Sequence, residues 1–217
     1  MKTFIKKHQY NYIKKCLNDI NNAFRSSADK NIIEATKAYT YEKILNVFSN
    51  LSEEEKEILD ITKITDPLLI DGYFHNLNQY VYGMPNITNS QITKLFKKEK
   101  KFKLPSLEAQ ESKNVYLGWI DESLRKLFIA YNMENNLIGM SCRITNHNSN
   151  NANICTLCNH VGRDNEVAFV SPICKTTGEY SYKSIGFNIC LDSSECNSRI
   201  VSTEKLEKIL KDVNNIG

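Results

Sequence analysis

The chain has 217 residues, 41% hydrophobic and 24% charged, enough for one real core or two small ones. Eight Gly and four Pro exclude a fibrous or low-complexity chain, and no apolar run approaches the length of a membrane span. The net charge of +3 falls entirely on residues 84–217, too mild an excess to imply nucleic-acid binding by itself.

The first 83 residues read as helices. Ile13, Cys16, Leu17, Ile20 and Phe24 form one apolar stripe at helical spacing. The start, MKTFIKKHQYNYIKK, is basic but lacks the apolar stretch and cleavage site of a secretory signal. The expected compartment is therefore the cytoplasm, where thiols stay reduced. A second helix carries Ile33, Tyr39, Ile44, Leu45 and Phe48. Ser52-Glu53-Glu54-Glu55 is a capping box opening a third. Asp66-Pro67 starts a fourth, with a stripe from Leu69 through Val81 that Gly83 and Pro85 close. These segments predict a small helical bundle over residues 1–83.

Residues 84–217 predict an α/β domain, so the fold class is α+β. Thr88-Asn89-Ser90-Gln91 is another capping box, opening a helix that runs through KLFKKEKKF until Pro105 stops it. VYLGWID, RKLFIAYN and LIGMSCRIT then read as a β-meander, with a hairpin turn at Met133–Asn136. EVAFVSPI and EYSYKSIGF read as a further hairpin with its turn at Thr177-Gly178, and a last helix spans about Thr203 to Val213.

Four of the seven cysteines make two pairs: Cys155 and Cys158, then Cys190 and Cys196. An odd total in a leaderless chain argues against a disulfide framework and for metal binding. C-x2-C with a later C-x5-C is a zinc pattern, because a tight turn aims two sulfurs at one ion and a second pair completes the tetrahedron. A knuckle, a hairpin and a helix start around one ion describe a treble-clef-like finger holding one structural zinc. Redox catalysis would place the first pair at a helix start directly after a strand, in a βαβ setting that is missing here. Catalytic zinc needs an open coordination position, which four thiolates close. His160 and Cys174 are the substitute ligands, while Cys16 and Cys142 read as core.

Two surfaces could serve a partner. Lys94, Lys97, Lys98, Lys100, Lys101 and Lys103 crowd together and could contact RNA phosphates, or could be a solvated helix face over Leu95, Phe96 and Phe102. Tyr180, Tyr182, Lys183 and Phe187 lie between the cysteine pairs, where aromatics with a lysine can recognise a protein. Trp119 reads as core. No phosphate loop, catalytic triad or paired carboxylates stand out, so no catalytic residue is expected and the chain reads as a binding protein, not an enzyme.

MKTFIKKHQYNYIKK, KLFKKEKKFKLP, GWID, and CTLCN followed by ICLDSSECN together resemble the FusB-type fusidic acid resistance proteins, nearly end to end. The resemblance implies binding to elongation factor G and its release from ribosomes stalled by the drug, without modification or export of the drug. It identifies Cys155, Cys158, Cys190 and Cys196 as the zinc ligands. It makes Lys183 and Phe187 partner contacts, and places Ile154 and Ile209 where the family carries contacting aromatics. It implies a monomer that binds neither membrane nor drug. The alternative from the residues themselves is an RNA-binding zinc finger that uses Lys94–Lys103.

Overall fold

The computed structural model describes residues 2–106, 113–145, 152–175 and 184–216. The chain forms two compact units, Met1–Tyr82 and Gly83–Gly217.

The first unit holds helices α1 (Lys7–Ser26), α2 (Lys30–Leu45), α3 (Glu53–Leu59) and α4 (Leu69–Leu77). α1 buries Ile13, Cys16, Leu17 and Ile20 and packs on α2 and α4. The capping box at α3 forms as its sequence dictates. The Ser52 hydroxyl accepts from the Glu55 amide at 3.2 Å, and the Glu55 carboxylate accepts from the Ser52 amide at 2.9 Å.

Two expectations in this unit fail. Tyr39 is 61% exposed, not core, and the Lys43 ammonium sits 4.4 Å from its ring centre. The inward face of α2 is carried instead by Lys37, Thr40 and Ile44, and the helix ends before Phe48. Lys37 is 2% exposed, and its ammonium donates to the carbonyls of Thr62 at 3.0 Å and Ile64 at 3.1 Å. Those carbonyls lie within and just after the 3-10 turn Ile61–Lys63, and a charge that satisfies them can stay buried. The second failure is Val81, expected on the fourth helix. α4 stops at Leu77, and Val81–Tyr82 form β2, parallel to β1 (Ile5–Lys6), with Ile5 opposite Val81. Both residues are β-branched and buried, which suits a strand pair.

The second unit opens with α5 (Asn89–Leu95), capped by Thr88 and Gln91 as expected. A five-stranded antiparallel sheet follows in the order β3-β4-β5-β8-β9: β3 (Leu117–Asp121), β4 (Lys126–Met133), β5 (Asn136–Ile144), β8 (Val167–Pro172) and β9 (Phe187–Cys190). Glu134 and Asn135 turn the β4–β5 hairpin with φ of 48° and 66°, the pattern of a type I′ turn. The sheet is covered on both faces, and β4 shows the period-2 alternation. Leu127, Ile129, Tyr131 and Met133 enter the core shared with α6 (Ser193–Arg199) and α7 (Glu204–Asn214). Phe128 and Ala130 face Ile92, Phe96 and Trp119. Cys142 is fully buried.

The helix expected through the lysine run ends at Leu95. Phe96 and Phe102 both lie 5.1 Å from the Phe128 ring, but residues six apart sit about 120° apart around a helix. Seating both rings on one partner requires the chain to leave the helix. The exit is then pinned: the Trp119 indole donates to the Lys103 carbonyl at 2.8 Å, and the Lys103 amide donates to Asp121 at 2.7 Å. Of the described residues of the expected strand EYSYKSIGF, 184–187, only Phe187 lies in β9, and residues 179–183 with the turn at Thr177-Gly178 fall outside the described residues.

Candidate metal centre

The first cysteine pair sits on a small knuckle. Strands β6 (Asn153–Ile154) and β7 (Val161–Gly162) pair antiparallel, and the chain between them folds back tightly. The Asn159 amide donates to the Cys155 carbonyl at 2.9 Å, and the Cys155 amide to the His160 carbonyl at 2.8 Å. Asn159 takes a left-handed φ of 60°, which asparagine tolerates and which closes the turn. The Thr156 amide donates to the Asn188 carbonyl at 2.8 Å, so the knuckle is fastened to β9.

The second pair arrives from two elements. Cys190 ends β9, opposite Val167 of β8. Cys196 sits one turn into α6, whose start is capped by Asp192 accepting from the Glu195 amide at 3.0 Å. Ser193 donates to the Gly118 carbonyl at 2.7 Å. A β-carbon at Gly118 would fall 2.8 Å from the Ser193 β-carbon, so only glycine lets α6 approach β3 this closely.

These elements bring the four sulfurs within 4.8 Å of one another. Cys155 and Cys196 are 3.8 Å apart, Cys158 and Cys190 3.5 Å. A zinc–sulfur bond of about 2.3 Å gives tetrahedral sulfur–sulfur edges of about 3.8 Å. The spacing therefore fits one zinc ion, held by four thiolates with no position left for substrate. The sulfurs act strongly on one another. Hydrogen bonds from Cys155, Cys190 and Cys196 pull the Cys158 thiol down, and contacts with Cys155 and Cys158 push the Cys190 and Cys196 thiols up. A bound ion supplies the positive charge that holds all four as thiolates. His160 lends the knuckle its carbonyl, and the Cys174 thiol donates to the Pro172 carbonyl at 3.8 Å; neither belongs to the cluster.

Comparison with known families accounts for this arrangement. The family model described as the FBP C-terminal treble-clef zinc-finger matches residues 87–215. The chain belongs to this family. Residues 4–85 match the family model of the N-terminal region of elongation factor G-binding proteins. Among solved structures the chain is similar to one described as the fusidic acid resistance protein FusC, with 22% identity, a TM-score of 0.76 and 97% of each chain covered. That likeness shows a shared fold. No curated protein matches the chain.

In this treble-clef chain the residues expected at a partner surface fall in different places. Ile154 is 57% exposed on β6 and stands opposite Val161, itself 56% exposed, on β7. Phe187 is buried in the sheet core opposite Val170, so its side chain supports the fold instead of offering a free contact. Ile209 is half-buried on α7 and packs against the same core. Tyr180, Tyr182 and Lys183 lie outside the described residues.

Three residues around the centre escaped the sequence reading. Asn197 hydrogen-bonds both the amide and the carbonyl of Tyr116. The Tyr116 ring is fully buried among the zinc ligands' neighbours, and burial, then Cys196, pushes its phenol pKa well up. Arg199 places Nη2 3.8 Å from the Cys190 sulfur. An arginine three residues after a ligand on a short helix was the one signal available for it.

Proposed function

We propose that this protein binds elongation factor G and promotes its release from ribosomes stalled by fusidic acid, protecting translation without touching the drug. The observation that carries this reading is the match of residues 4–85 to the N-terminal region of elongation factor G-binding proteins, on a chain whose remainder is a treble-clef zinc finger. The solved relative described as a fusidic acid resistance protein supports the same reading.

The finger supplies the contact chemistry. Ile154 and Val161 put two exposed aliphatic side chains side by side on the knuckle, where the cysteine turn holds them rigid. Tyr180, Tyr182 and Lys183, and the α7 face near Ile209, are proposed to extend this contact. The zinc is structural, since four thiolates fill its shell and leave nothing to activate a water. No described helix is long and apolar enough to cross a membrane; the site of action proposed here, the cytoplasm, is that of elongation factor G.

Release follows from differential affinity. The protein must favour a conformation of elongation factor G incompatible with the drug-stalled complex, because a ligand shifts an equilibrium only by its preference between states. The test is direct. Purified protein should capture isolated elongation factor G, and should release it from fusidic-acid-stalled ribosomes while the drug is recovered chemically unchanged. Failure to bind the isolated factor would sink the proposal, as would altered drug.

A further inference from the structure

The centre concentrates negative charge. Four thiolates around one zinc ion carry a formal excess of about two negative charges, and Cys155, Cys190 and Cys196 are buried. Sulfurs of that kind need hydrogen-bond donors from the protein, since water does not reach them and unpaired buried charge is strongly disfavoured.

Two side chains stand where such donors belong. Arg199 follows Cys196 by three residues on α6, so both lie on one helix face. Its Nη2 is 3.8 Å from the Cys190 sulfur, and Glu195 fixes the other end of the fork at 2.8 Å from Nη1. The Arg199 Nε is buried and finds no partner, although burial alone disfavours a guanidinium there. The Cys158 and Cys190 sulfurs offset that burial. Tyr116 approaches from the segment leading into β3. It is fully buried in the same core cluster as Cys155, Cys190 and Cys196, and its hydroxyl has no hydrogen-bond partner.

We infer that Arg199 and Tyr116 form an outer donor shell for the four-cysteine site, one that governs how firmly the zinc is retained rather than whether the finger folds. The guanidinium offsets part of the cluster's charge, and the phenol, otherwise unsatisfied, donates to the thiolates once the ion is bound. Both withdraw electron density from sulfur, so the thiolates exchange the metal and react with electrophiles more slowly. Both are positioning residues, since neither touches the ion.

Three full-length variants test this: Arg199→Gln, Arg199→Lys and Tyr116→Phe. Zinc transfer to a colorimetric chelator reads retention, and the sulfur-to-metal charge-transfer band of cobalt-loaded protein reads electron density on sulfur. Arg199→Gln and Tyr116→Phe should each speed zinc transfer about tenfold or more, the scale seen when outer-shell partners are removed. Both should also move the cobalt band to lower energy. Arg199→Lys should recover part of each effect, because it keeps the charge but loses the fork. Tyr116→Phe preserves shape, so it remains informative should Arg199→Gln fail to fold. Unchanged transfer in both non-conservative variants overturns the inference. Faster transfer with an unmoved cobalt band also overturns it, since that result means Arg199 and Tyr116 serve only to pack α6.

Discussion

Asn197 and Tyr116 exchange two hydrogen bonds: the Asn197 oxygen accepts from the Tyr116 amide at 3.0 Å, and its nitrogen donates to the Tyr116 carbonyl at 2.9 Å. The same oxygen takes the Val115 amide at 2.7 Å. One buried amide thus completes the backbone of the segment entering β3, from the residue next to zinc ligand Cys196. Asn197→Ala would orphan three buried backbone groups. We expect a loss of about 2–4 kcal/mol in the second unit, measured by urea unfolding of the zinc-loaded protein, with Asn197→Asp failing to restore it because its oxygen cannot donate to the Tyr116 carbonyl.

The zinc itself should dominate the stability of the finger. Structural zinc contributes on the order of 10 kcal/mol to folding at neutral pH. Metal analysis should find one zinc per chain in the parent and none in Cys155→Ser or Cys190→Ser, whose finger should unfold with loss of factor binding. The helical signal of the first unit should persist in circular dichroism. A metal-free protein that remains fully active would contradict the structural role.

Ile154 and Val161 offer a cleaner probe of the partner surface, because both point outward and neither ligates metal. Ile154→Asp should weaken binding to elongation factor G at least tenfold while zinc content and thermal midpoint stay within error. Phe187→Ala should behave in the opposite way. Its ring is buried, so it should lower stability by about 3–5 kcal/mol, as large-to-small core changes do.

The lysine run separates the two function classes. The only acid within it, Glu99, is turned inward by Lys126 at 2.6 Å and Ser141 at 2.7 Å. The aromatic rings are turned inward too, so none is offered for base stacking. Lys97→Gln, Lys98→Gln and Lys101→Gln combined should leave factor binding intact. A strongly salt-dependent RNA affinity lost in that variant would favour the nucleic-acid reading instead.

Glu99 also gives a pH signature. Burial works against its carboxylate, but hydrogen bonds from Lys126 and Ser141 hold the pKa below the usual 4.5. A depressed carboxylate adds stability that is complete above its unfolded pKa and disappears as pH falls through the folded one. Glu99→Gln should therefore be less stable than the parent near neutral pH, and the difference should shrink below about pH 4.5 in thermal melts.

Much of the local structure was legible because its causes are local. The capping boxes at Ser52–Glu55 and Thr88–Gln91 formed as written, since each closes within three residues. The stripe of α1 and the hairpin turn at Glu134-Asn135 belong to the same class. The failures have long-range causes. Periodicity counts Tyr39 as apolar and Lys37 as polar, and cannot know that two carbonyls near residue 63 await an ammonium. It reads LFKKEKKF as helix, and cannot know that Phe128 must receive both phenylalanines.

By itself, the sequence determined the identity of the metal ligands. Sulfur is a strong zinc ligand wherever it stands, and two close pairs can meet one ion with little help. Only the tertiary structure decided what surrounds them. Asn197 ties the ligand-bearing helix to Val115 and Tyr116, up to 82 positions away, Arg199 reaches the Cys190 sulfur, and burial, not spacing, makes these donors and acceptors matter. Likewise, burial removed Phe187 from the exposed surface while strand pairing left Ile154 and Val161 upon it. Ligand choice follows from residue chemistry, whereas exposure and the partners of buried polar groups follow from which distant segments pack together.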